Sequence, residues 1–160
     1  MKPRTSQLAL RFDTAPPDPA AQWHDGASLP YLGEQLILRF DTDRMAATRD
    51  GNLLHLPLPP AATPRQIRDR AEAWLRHEAA RLIGTSLERQ TQRLNRPLPR
   101  WALSFSARSS WVVNPADGSL RFNWRLIEQP PALIEQTVGQ ALAALPVADA
   151  TADLWEMQTA

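Results

Sequence analysis

A chain of 160 residues with 43% hydrophobic side chains can bury a sizeable core, and its length fits one domain over residues 1–160. Lys and Arg number 18 against 17 Asp and Glu, so no global charge draws the protein to nucleic acid or a membrane surface. With no Cys there is neither a disulfide framework nor a thiolate metal site, which suits a reducing cytoplasm.

No apolar run approaches the roughly 20 residues of a membrane helix. Leu8-Ala9-Leu10 followed by Arg11 is too short for the apolar region of a signal peptide. The expectation is a cytoplasmic protein with no membrane association. Residues 7–12 read as a short strand, and Ala15-Pro16-Pro17-Asp18-Pro19 interrupts any helix interior or central strand. Residues 1–22 are therefore expected to form a mobile N-terminal segment. Asp25-Gly26 signals a hairpin turn, residues 29–40 an extended segment, and Asp50-Gly51 a second turn. Weak alternation over 52–58 ends at Pro59-Pro60, and together these stretches predict a small antiparallel meander.

Thr63-Pro64-Arg65-Gln66 is a helix start, with Thr as N-cap, Pro in the first turn and Gln three residues after the Thr. Ile67, Ala71, Trp74, Leu75, Ala79, Leu82, Ile83 and Leu87 continue as one apolar stripe at helical spacing. The opposite face carries many Arg, including Arg68, Arg76 and Arg81. Interleaved Asp69, Glu72, Glu78 and Glu88 offset them, so a solvated face is expected rather than a nucleic-acid contact. The helix ends before Arg96-Pro97.

Residues 101–106 alternate as a strand with Trp101, Leu103 and Phe105 on one face. Residues 109–113 and 120–126 predict a hairpin around Asp117-Gly118. Pro130-Pro131 opens a last helix whose Leu133, Ile134, Val138, Leu142 and Leu145 face the core, and Pro146 stops it. A short turn over 149–157 follows. The fold class is α+β: a small antiparallel sheet packed with a long helix and this final helix.

His24, His55 and His77 share no ligand spacing and make a poor zinc site. Gly-rich phosphate loops and G-x-S-x-G elbows are absent. The six Trp could stack on unpaired bases, but Trp74, Trp101 and Trp124 fall on apolar faces, where core packing explains them more simply.

Three stretches carry a family resemblance: Pro30-Tyr31-Leu32-Gly33 before an alternating strand, Ser106 to Trp111 with Asn123-Trp124-Arg125-Leu126-Ile127, and the helix over 133–145. They resemble the YgjP-like metallopeptidases, zincin-group relatives of the SprT-like proteins. The resemblance implies a zincin-like fold and a helix bearing H-E-L-A-H-L. Two His four residues apart sit one turn apart and reach one zinc, while the Glu takes a proton from the metal-bound water.

Here Gln140 stands at the first His, Ala141 at the Glu and Ala144 at the second His; Ala150 stands at the position of the third ligand. Zinc, implied by the family, is therefore expected to be absent, and the enzyme inactive. The family's W-G-S-C turn reads Trp111-Val112-Val113-Asn114, and a β-branched residue in place of Gly demands a plain strand or a rebuilt turn. Arg108, Asn123 and Arg125 survive from the pattern and, with Trp111, could line a groove. Asn123 and Arg125 read more simply as the polar face of a strand whose other face is Phe122, Trp124 and Leu126. The family also continues past a Phe-Trp segment, so this C-terminus is short for it.

Three functions follow as expectations. The first is a non-catalytic binding or regulatory module for a protein or peptide partner. The second is a metal-dependent hydrolase with a non-standard site at Asp149, Asp153 or Glu156. The third is a decaying paralogue with no selected role.

Overall fold

The structure is a computed structural model and describes residues 18–105 and 108–146. Its elements in chain order are α1 (Pro19–Gln22), β1 (Ser28–Tyr31), β2 (Glu34–Phe40), β3 (Thr48–Asp50), β4 (Leu53–Leu56) and α2 (Pro64–Arg93), then β5 (Trp101–Ser104), β6 (Trp111–Val113), β7 (Leu120–Asn123), a 3-10 turn (Trp124–Glu128) and α3 (Pro131–Ala144). The class is α+β.

The strands form two small sheets, β1-β2-β4-β3 and β5-β7-β6. Their pairing differs from the single antiparallel sheet the alternation suggested. β2 runs parallel to β4, with Ile37 opposite Leu53, and β5 runs parallel to β7, with Trp101 opposite Leu120. β3 and β6 pair antiparallel with β4 and β7. Alternation identifies which residues can be strand but not which strand each one meets, and parallel neighbours come from distant sequence. The stretch 29–40, expected to be one extended segment, folds back at Leu32-Gly33. Both residues have positive φ, 51° and 79°, as a two-residue hairpin turn requires.

The chain divides into two compact units. The first comprises Met1–Ser28 and Ile37–Ala71, and its buried side chains include Trp23, Leu38, Leu54, Leu56, Leu58 and Ile67. Here α2 begins with the expected capping box. The Thr63 amide donates to Gln66 Oε1 at 2.9 Å, and the Gln66 amide donates to Thr63 Oγ1 at 3.2 Å.

The second unit comprises Leu29–Leu36 and Glu72–Ala160. Its core gathers Leu75, Ile83 and Leu87 of α2, Leu120 and Phe122 of β7, Leu126 and Ile127, and Ile134, Val138 and Leu142 of α3. Trp101 meets Phe122 edge-on at 6.2 Å and Trp74 tilts on Tyr31 at 5.3 Å, so these Trp pack as expected. α2 closes on a Schellman motif: Asn95 has φ 55°, the Arg96 amide reaches Thr91 O, and the Asn95 amide reaches Gln92 O. The apolar stripe on α2 also carries buried polar groups, Glu78, Ser86, Gln90 and Thr91. Glu78, expected on the solvated face, is buried because Tyr31 and Arg81 both bind its carboxylate.

Candidate functional site

The last helix, α3, begins with Pro131 at its first position, where the missing N–H costs nothing, and ends at Leu145, which is extended. Arg96 Nη1 donates to Leu142 O at 3.0 Å, placing a cation on the C-terminal carbonyls. α3 packs beside β6. The stretch Trp111-Val112-Val113 is thus a plain strand, one of the two outcomes the β-branched residue left open, with Trp111 opposite Phe122.

One face of α3 carries Ile134, Thr137, Val138, Ala141 and Leu142, all buried; Leu133, Gln136, Gln140, Ala143 and Ala144 are exposed. Gln140 and Ala144 therefore share an open face one turn apart, the geometry a two-His site needs. Ala141 is 0% exposed, sealed in the core with Val138 and Leu142. The residues present do not fit zinc. A neutral amide is a weak ligand, a methyl is none, and no three of His, Cys, Asp or Glu converge among the described residues. Ala150, Asp149, Asp153 and Glu156 lie outside the described residues.

The four groove candidates fall differently. Arg108 is exposed and Trp111 half-buried on β6. Asn123 ends β7 and caps the 3-10 turn, its Oδ1 accepting from the Arg125 amide at 3.0 Å. Arg125 lies 4.6 Å over the Trp124 ring and donates to Glu128 Oε2 at 3.0 Å. The strand expected over 120–126 stops at Asn123 because this cap turns the chain, and Leu126 and Ile127 then bury together. Structure thus brings Asn123 and Arg125 together as a cap and its first turn. Phe105, expected to share one strand face with Trp101 and Leu103, lies past the end of β5 and is 62% exposed, with the Arg76 guanidinium 4.9 Å above it.

A cluster that the sequence reading did not single out joins α2 to α3. Ser86 Oγ and Arg89 Nη2 both donate to Glu135 Oε1. Gln90 Nε2 donates to Ser86 Oγ at 3.0 Å and to Glu135 O at 2.9 Å. An added Cβ at Gly139 would meet Gln90 Oε1 at 3.1 Å, so glycine admits the amide at this helix contact. Partial burial alone would raise the Glu135 carboxyl, but the Ser86 hydroxyl, Arg89 and Gln90 outweigh it and hold the group below its ordinary value. The readable signal was Ser86 and Gln90, polar residues four apart on an otherwise apolar stripe.

Among the described residues no helix is long and apolar enough to cross a membrane. Comparison with curated proteins and with solved structures finds no match. A family model described as YgjP-like, metallopeptidase domain, matches residues 5–138, most of the chain, and stops short of Gln140. The chain therefore belongs to the YgjP-like metallopeptidase-domain family.

Proposed function

We propose that this chain is a non-catalytic member of its family, acting in the cytoplasm as a binding or regulatory module for a protein or peptide partner. The observation that carries the reading is the placement of residues 140, 141 and 144. Gln140 and Ala144 occupy the open face of α3 with side chains that hold no metal, and Ala141 fills a core position with a methyl group. A base at 141 would have to ionise inside that packing, where desolvation opposes charge. Without zinc or base, no activated water is available for peptide hydrolysis by the family's chemistry. The absence of Cys agrees with a reducing compartment.

The test is elemental analysis of the purified chain alongside hydrolysis of an unstructured polypeptide with and without chelator. Far less than one zinc per chain and no chelator-sensitive cleavage are expected. About one tightly held zinc per chain would overturn the reading. Chelator-sensitive cleavage would favour instead a hydrolase whose ligands include Asp149, Asp153 or Glu156.

A further inference from the structure

A pocket of about 220 Å³ is lined by Leu32 from the β1–β2 turn, Leu82, Thr85, Ser86 and Arg89 from α2, and Pro131, Ile134 and Glu135 from α3. It includes none of the positions 140–144 and none of the groove candidates, so it stands whether or not α3 retains chemistry. Leu32, Leu82, Pro131 and Ile134 give it an apolar wall. An apolar cavity of roughly 150 Å³ already accommodates benzene, so this one has room for a single ring with a short arm.

Its polar edge carries surplus positive charge. Arg89 of the lining and Arg93, one turn further along α2 and outside the lining, both address the one carboxylate of Glu135, Arg93 only at 4.0 Å. Their side chains are 54% and 68% exposed, which leaves them accessible from solvent. A guanidinium offers five N–H donors in a planar fork, and a shared carboxylate satisfies few of them. A cationic ligand would meet this surplus and be repelled; a second carboxylate would be drawn to it.

We propose that this pocket binds an apolar monocarboxylate, with its carboxylate on Arg89 and its ring or branched chain against Leu82 and Ile134. Glu135 then acts as a built-in competitor for the same arginine. That carboxylate accepts from Ser86 as well as from Arg89.

The probes are 3-phenylpropionate and its neutral amide, titrated calorimetrically into the full chain. The acid is expected to bind at least tenfold more tightly than the amide. Equal affinities, or no heat from either, would overturn the proposal without any variant being made. Glu135→Gln, checked for a native fold by circular dichroism, should tighten the acid severalfold by freeing Arg89. A purely structural Glu135 would give unchanged or weaker binding, and that result would also overturn it. Leu82→Trp should fill the wall and abolish binding while the fold persists; retained binding would place the ligand elsewhere. An acetylated peptide ending in Phe separates the two sources of this chemistry. Tighter binding of the peptide assigns the carboxylate to a chain terminus, and tighter binding of 3-phenylpropionate assigns it to a small molecule.

Discussion

Tyr31 donates its phenolic hydrogen to Glu78 Oε1 at 2.7 Å inside the second unit, and Arg81 binds both oxygens of the same carboxylate at 2.9 Å. Arg81 is raised above its ordinary value by the Glu78 hydrogen bonds and charge. A buried acceptor shared this way is expensive to remove from one side only. Glu78→Ala should cost about 2–3 kcal/mol, because it removes the carboxylate that accepts from both Tyr31 and Arg81 and leaves a void. Tyr31→Phe should cost about 1–2 kcal/mol. The double variant Tyr31→Phe with Glu78→Ala should cost less than the two single changes together. Additive losses in urea denaturation would show that the pair is not coupled.

Position 141 gives a second prediction. Ala141 has no exposed surface and lies on the buried face of α3 with Val138 and Leu142. Ala141→Glu should destabilise the protein by about 3 kcal/mol or more, from overpacking together with desolvation of the acid. The loss should shrink as pH falls and the carboxyl protonates. A variant as stable as the parent at neutral pH would mean that the side chain reaches solvent and that the site is more open than its packing indicates.

Gln140→His with Ala144→His acts on the opposite face and should behave oppositely. Both positions are exposed, so the change itself should cost under about 1 kcal/mol, mostly in helix propensity. The imidazoles then lie one turn apart and should take a divalent ion. With zinc at a hundredfold excess over its dissociation constant, the gain is about 2.7 kcal/mol, read as a raised melting temperature. A native double variant whose melting temperature ignores zinc and cobalt would show that the two side chains diverge.

The parts of this molecule that could be read in the sequence are those determined locally. Thr63 and Gln66 cap α2 as their spacing dictates, and Asp50-Gly51 and Asp117-Gly118 each turn between antiparallel strands. Asp25-Gly26, expected to turn a hairpin, instead follows α1 and joins it to β1. Long-range pairing was less legible. Nothing in the alternation of residues 34–40 and 53–56 says that β2 and β4 run parallel, since that depends on where the intervening chain crosses. The turn at Leu32-Gly33 was hidden by a Leu at positive φ, a conformation that side chains rarely adopt. At the site, helical spacing put Gln140 and Ala144 on one face, but burial of Ala141 follows from what α3 packs against. The Ser86–Glu135 contact spans 49 residues and had no local signature beyond polar residues on an apolar stripe.

Glu135 should also leave a mark on the pH dependence of stability. Its folded carboxyl titrates below the ordinary value: burial opposes ionisation, but Ser86 and Arg89 prevail. A group depressed in this way contributes stability above its unfolded value and loses that contribution as pH falls through the folded one. Stability of the parent should therefore drop on the acid side, below the usual Glu range, and Glu135→Gln should flatten that limb. An acid limb of unchanged steepness in Glu135→Gln would assign the dependence to other carboxylates.

The β1–β2 turn supplies the last prediction. Gly33 has φ 79°, and a Cβ there would lie 3.0 Å from Pro130 Cγ and 3.4 Å from Pro130 Cα. The turn cannot swing aside easily, because the Leu32 amide donates to Ile127 O at 2.7 Å and the Gly33 amide to Glu128 O at 2.9 Å. Gly33→Ala should thus incur two costs, a left-handed backbone and a clash with a rigid ring, together about 2–3 kcal/mol. Gly51 separates the two. Its φ is 60°, but a Cβ there meets nothing within 4 Å, so Gly51→Ala should cost only the backbone part, about 1–2 kcal/mol. Measured by urea denaturation, Gly33→Ala should be the more damaging change. Equal losses would mean that Pro130 yields to the added methyl, and that close approach of the turn to the 128–130 segment is not what requires glycine at position 33.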